Sequence, residues 1–208
     1  MPELERELSA NRSTALELRE ERNLVREGYE FLDEKRMLLA SEILRGLARF
    51  QSERATFLAL HANACTLLLD AAARHGLDAL IVYPALELEE FGIARRTRRV
   101  MGIDVIDARA DAASPPSAAA PVDPSAEARA CAAIHFDLLR QAVSLAALER
   151  NLRRLAAEYR RTERRARALE NVLMPELDQA LRFVEEQLEL YEIEESVRVH
   201  EARPEAKE

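Results

Sequence analysis

The sequence predicts a mainly α protein: a long antiparallel two-helix coiled coil formed by the N- and C-terminal helices, with a small head containing a short β-hairpin. Three observations predict it. Charged residues make up 33% and aromatics 5% of the 208 residues, with five Gly and no Trp, a composition of long helices rather than of an ordinary globule. Apolar residues recur every seven positions near both ends, the spacing of helices that wind around a partner. Between them lies a stretch of β-branched runs and prolines in which that spacing is lost. The expected divisions are residues 1–76 (first helix), 77–125 (head and linker) and 126–208 (second helix and tail).

In the first division, Leu18, Val25, Leu32 and Leu39 are spaced by seven, and Ile43, Phe50, Phe57 and Ala64 continue on a shifted phase. No proline interrupts about 70 residues, enough for roughly 105 Å of helix. Arg74-His75-Gly76 reads as its end, with cations in the last turn and a glycine able to take a left-handed cap.

Within the head, LDALIVYP (77–84) and RVMGIDVID (99–107) read as paired strands. The stretch ALELEEFGIARRT between them is ambiguous. SPPSAAAPVDPS (114–125) reads as a linker, and Ser125 is placed to cap the next helix.

In the third division, Leu138, Leu145, Leu152, Tyr159, Ala166 and Leu173 mark one seam position, and Leu148, Leu155 and Leu169 the other. Leu177, Val184 and Tyr191 resume the repeat one position late, beside Pro175. A proline removes one backbone donor and clashes with the preceding turn, so Pro175 is expected to kink a helix that does not end. Thr162 and Ala166 leave this seam thin. Equal helix lengths favour an antiparallel hairpin, which sets Cys65 and Cys131 within a few turns of each other.

The net charge of −8 argues against nucleic acid as a main partner. Residues 140–169 hold nine arginines against three glutamates, whereas 170–208 hold twelve acidic against four basic groups. Two solvated helix faces and a charge-matched binding surface both fit that division. Arg160, Arg161, Arg164, Arg165 and Arg167 are expected to spread over more than half the helix circumference, a density that suits enclosure by acidic or carbonyl-lined walls.

The opening residues are charged and carry no signal peptide pattern, and no apolar run of bilayer length stands out. Cys65 and Cys131 lack zinc spacing and are expected to be free thiols in a reducing cytosol. His61, His75, His135 and His200 are scattered, so no metal is expected, and His61 and His135 read as surface or seam-edge residues. There is no phosphate-loop or nucleophile motif, and the acidic pairs Glu185-Glu186 and Glu194-Glu195 belong to a solvated helix. No cofactor is expected.

The residues also resemble a known family. Tyr159 to Arg165 (YRRTERR), then Ala168-Leu169-Glu170-Asn171-Val172, Pro175 and Leu177, are similar to the C-terminal helix of the D subunit of V-type and archaeal-type rotary ATPases. Leu16, Gly28, Phe31-Leu32 and Lys35-Arg36 match its first helix, and Val100-Met101-Gly102-Ile103 resembles a step in its head. Ala166-Arg167 replaces a valine-asparagine pair usual there.

That resemblance implies a non-catalytic central-stalk rotor shaft. Its paired helices would enter a hexamer of catalytic A and regulatory B subunits. Its head would bind the F subunit, with Val100, Met101, Gly102 and Ile103 as candidate contacts. Its lower end would meet an adaptor above the membrane ring. The five arginines become candidate hexamer contacts. The resemblance further implies a cytoplasmic protein, peripheral to the membrane and not inserted in it. A coiled-coil stalk or scaffold protein of a flagellar or type III export ATPase is the alternative, against which the β-containing head discriminates. A helical-bundle enzyme would need a cofactor constellation that the sequence lacks.

Overall fold

The computed structural model describes residues 11–81, 91–111 and 123–201. Its elements are α1 (Arg12–His75), α2 (Leu77–Ile81), β1 (Ile93–Val100), β2 (Ile103–Ala110), α3 (Ala126–Ala168), a π-helical turn (Leu169–Leu173) and α4 (Met174–Glu201). The N- and C-terminal helices pack together, as expected, and the only sheet among the described residues is an antiparallel hairpin. The chain divides into two compact units, Met1–Met37 with Tyr159–Glu208, and Leu38–Glu158.

Along α1 two interleaved seven-residue series, 15, 29, 36, 43, 50, 57, 64, 71 and 18, 25, 32, 39, 46, 53, 60, 67, are buried or half-buried, the first interrupted at the exposed Arg22. The change at Leu39 is therefore no slip. Leu39 and Ile43 are the two alternating seam positions of one register, separated by four residues. The series is masked in the sequence because Arg22, Tyr29 and Arg36 hold one set near the start, and Gly46 and Glu53 hold the other later.

In the first unit α1 starts at Asn11, whose side-chain oxygen accepts the Thr14 N–H at 2.7 Å, a helix cap. Ala15, Leu18, Leu177, Leu181 and Val184 form the core, with Val25, Leu173, Ala180, Phe183 and Leu188 packed on it. Three ion pairs flank this seam: Arg12–Glu192 at 2.8 Å, Arg19–Glu185 at 2.6 Å and Arg22–Asp178 at 2.6 Å. Their descending partner numbers fix the antiparallel sense. Each is solvent-exposed and worth about 0–1 kcal/mol, so they set orientation more than stability. They also show where part of the acidic C-terminal excess goes: onto the chain's own first helix.

The one-position delay before Leu177 has a backbone cause. The Met174 N–H bonds the Leu169 carbonyl oxygen, an i→i+5 turn, and a turn of that kind inserts one residue into an α-helix. Everything after it is displaced by one position, so Leu177, Leu181 and Val184 return to the core. Pro175, exposed, is the second residue of α4; its missing N–H would otherwise have opened the regular ladder. Tyr191, counted with the seam in sequence, is 56% exposed, at the level of Arg12, where α1 begins.

In the second unit Gly76 has φ +78° and donates its N–H to the Ala72 oxygen at 2.8 Å, the left-handed cap expected there. Residues 77–81 form the short helix α2 rather than a strand; the remainder of LDALIVYP lies outside the described residues. A short apolar run has no periodicity with which to choose between the two. The hairpin instead pairs Ile93–Val100 with Ile103–Ala110, so the ambiguous stretch supplies most of β1. Met101 (φ 49°) and Gly102 (φ 82°) make its turn, both left-handed as a two-residue type I′ turn requires. Of the linker 114–125, only 123–125 is described. The buried Ser125 caps α3 as expected, accepting the Ala128 N–H at 3.0 Å.

Candidate functional site

One side-chain amide of α3 clasps the head from the side. Asn151, 6% exposed on α3, accepts the Ile106 N–H at 3.0 Å and donates to the Ile106 carbonyl oxygen at 2.6 Å. A helix side chain thus completes both backbone groups on the outer edge of β2, as a neighbouring strand would. Phe91 meets the buried Phe136 edge-on, with ring centroids 6.0 Å apart. Val105 and Ala108 are the buried side chains of β2.

Beneath the hairpin lies a cavity of about 500 Å³, lined in part by Arg45, Arg49, Arg96, Arg98, Asp107 and Asn151. Its cations are largely matched. Glu42 pairs with Arg45 at 2.7 Å and also with Arg98, and Arg49 bonds Glu53 at 2.8 Å. Compensated in this way, the cavity does not call for an anion.

Around the cap of α3, His75 Nε2 lies 2.6 Å from Ser125 Oγ, and His75 Nδ1 lies 3.5 Å from Asp123. The residue types are those of a hydrolytic triad. Here the hydroxyl is buried and already occupied as the helix cap, so the arrangement ties the end of α1 to the start of α3. Cys65 and Cys131 are free thiols, each beside a histidine one turn along its own helix, His61 at 3.9 Å and His135 at 3.6 Å. Burial raises the Cys131 pKa. Both histidines are exposed, and no three metal-ligating residues converge among the described residues.

All five arginines singled out in sequence, Arg160, Arg161, Arg164, Arg165 and Arg167, are exposed. At 100° per residue they occupy an arc of roughly 160°, less than half the circumference and narrower than expected. That arc lies opposite the buried Thr162 and Ala166. The thin seam is thus tightly closed, at 2% and 1% exposure, because small residues let the helices approach. Arg167 pairs with Glu163 at 2.7 Å, whereas Arg161, Arg164 and Arg165 form no ion pair among the described residues. The turn Val100–Ile103 stands at the tip of the hairpin, with Met101 43% exposed.

One surface escaped the seam-based reading. Leu44, Leu47, Leu58 and Leu69 are 40–70% exposed, and Gln51, Ala55, Ala62 and Cys65 between them are exposed too. Together they repeat every three or four residues on the face of α1 away from its seam, the stripe a third helix would cover. The signal was present as a second apolar series, overlaid on the first. Both long helices also hold an 18-residue window apolar enough to cross a membrane by length and composition alone, mostly unburied. In α1 the exposed leucines contribute to that apolar character.

Two long helices paired antiparallel and a small clasped hairpin define an antiparallel coiled-coil protein with a β-hairpin head. The chain belongs to the family of ATP synthase D subunits, whose model matches residues 14–203. It is 28% identical over 210 residues to the V-type ATP synthase D subunit of Anaeromyxobacter dehalogenans, covering 94% of this chain and 95% of that one. It is 23% identical over 193 residues to the Thermotoga neapolitana V-type protein, with 92% and 95% covered. To the A-type ATP synthase D subunit of Methanopyrus kandleri it is 25% identical over 199 residues, with 95% and 86% covered.

Proposed function

We propose that this chain is the central-stalk rotor shaft of a V-type ATPase or ATP synthase, transmitting torque between a catalytic A/B hexamer and a membrane ion-translocating ring. The observation that carries this reading is the antiparallel pairing of α1 with α3 and α4. Two helices locked by a seam resist bending and twisting where one helix would yield. In this reading the chain is a non-catalytic part of the peripheral sector, and ATP chemistry belongs to the hexamer.

The arginine arc is the proposed contact with the hexamer. The acidic C-terminal segment is partly matched within the chain, whereas Arg161, Arg164 and Arg165 keep their charge for a partner. The stripe from Leu44 to Leu69, with the hairpin tip Val100–Ile103, is the proposed seat of the F subunit. The adaptor above the ring would take the end bearing the head. Family membership and the hairpin both weigh against the export-ATPase stalk.

The test is replacement of Arg161, Arg164 and Arg165 by glutamine in a reconstituted complex. ATP hydrolysis and its coupling to ion movement should fall while the isolated chain stays folded. Unchanged coupling would remove the electrostatic contact.

A further inference from the structure

We propose that the outer edge of β1 is a docking strand for an extended acidic segment of a partner protein, joined by strand addition. The Asn151 clasp settles which backbone groups face outward. Ile106 directs its N–H and C=O at Asn151 and therefore away from β1. In an antiparallel pair, opposite residues either exchange both bonds or direct both outward. Thr97, the partner of Ile106, is thus an outward residue, and so, with a period of two, are Arg95 and Arg99. Arg96 and Arg98 bond to β2.

The two edges differ. One edge of this two-stranded sheet is capped by Asn151; on the other, no further strand pairs with β1 among the described residues. Every residue from Ile93 to Arg99 is exposed. Charged side chains on an open edge deter self-pairing, and four arginines, Arg95, Arg96, Arg98 and Arg99, do so here. The same charges select an incoming strand rich in carboxylates, which would meet Arg95 and Arg99 on one face, whereas on the other Arg98 is already held by Glu42. Arg95 and Arg96 form no ion pair among the described residues, and Arg99 reaches Asp104 only at 3.9 Å. This inference goes beyond the stalk reading and does not depend on it.

The test is amide hydrogen exchange by NMR on the full chain, with an acetylated peptide of alternating glutamate and valine as probe. In the free chain, Arg95, Thr97 and Arg99 should exchange fast, and Arg96 and Arg98 slowly. The peptide should slow those three amides by roughly tenfold or more, and a lysine–valine counterpart should not. Thr97→Pro removes the central outward N–H while leaving the ladder to β2, a substitution tolerated on an edge strand; it should abolish binding with Arg96 and Arg98 still slow. Arg95→Gln with Arg99→Gln should weaken binding about tenfold or more, and this variant decides the matter if the proline disrupts the hairpin. Any of four results would overturn the proposal: slow exchange at the three amides in the free chain, no peptide binding, equal binding of the lysine peptide, or unchanged affinity in the arginine variant.

Discussion

The side-chain amide of Asn151 holds both backbone groups of Ile106, at 3.0 and 2.6 Å, across 45 residues of sequence. Because the pair is largely buried, removing one side strands two polar groups. Asn151→Ala should cost about 1–3 kcal/mol and release fast exchange at the Ile106 amide, with the β1–β2 ladder intact. Asn151→Asp should be no milder, because a carboxylate has no N–H to give the Ile106 carbonyl. Chemical denaturation with amide exchange checks both; protection of Ile106 in the alanine variant would refute the clasp.

The two glycines of α1 should respond differently to alanine. A methyl group at Gly28 would sit 3.7 Å from Leu169 Cδ1, an ordinary contact, whereas one at Gly46 would sit 3.0 Å from Leu152 Cδ2. Gly28→Ala should therefore gain about 0.5–1 kcal/mol from helix propensity alone. Gly46→Ala should gain less or lose, because Leu152 must shift. Thermal melts of the two variants supply the comparison.

If the π turn is what restores the seam, a residue can be removed there and nowhere near it. Deleting Asn171 while changing Pro175 to alanine should give a continuous α-helix that keeps Leu177, Leu181 and Val184 in the core. Deletion alone leaves proline inside a regular helix, at a cost of about 3 kcal/mol. Deleting Gln179 instead rotates the rest of α4 by roughly 100° and should unfold that end. Circular dichroism melts rank the three; equal stability of the Asn171 and Gln179 deletions would dismiss the π turn as the cause.

Tyr29 has its pKa raised, chiefly by the charge of Glu170 across the seam, then by burial and Asp33. A phenol that holds its proton more firmly when folded adds stability below its unfolded pKa and loses it as pH rises through the folded value. Stability should thus fall more steeply above about pH 10 in the parent chain than in Tyr29→Phe. Melting temperatures between pH 9 and 11 measure the difference; parallel slopes would rule out the Glu170 contact.

The helices were legible because coiled-coil packing is written locally: Leu18 to Leu39 and Leu138 to Leu173 repeat within a few turns. The Met101-Gly102 turn follows from residue types that reach the left-handed region. What was hidden depends on distant or weak signals. Leu77–Ile81 is too short to show a period. The start of β1 carries paired arginines with no buried face, and its partner strand β2 is held by Asn151 far along the chain. The displaced Leu177 was visible, but the π turn that displaces it lies in one backbone hydrogen bond. The Leu44–Leu69 stripe was obscured by the seam beside it.

The measurement that bears most directly on the rotor reading is single-molecule rotation. With Cys65 and Cys131 changed to alanine and a bead tethered through Arg99→Cys, the reconstituted complex is fixed to a surface by its hexamer and supplied with ATP. Unidirectional stepping of the bead that stops when ATP is withdrawn is the expected result. ATP hydrolysis proceeding while the bead stays still would contradict a rotating shaft.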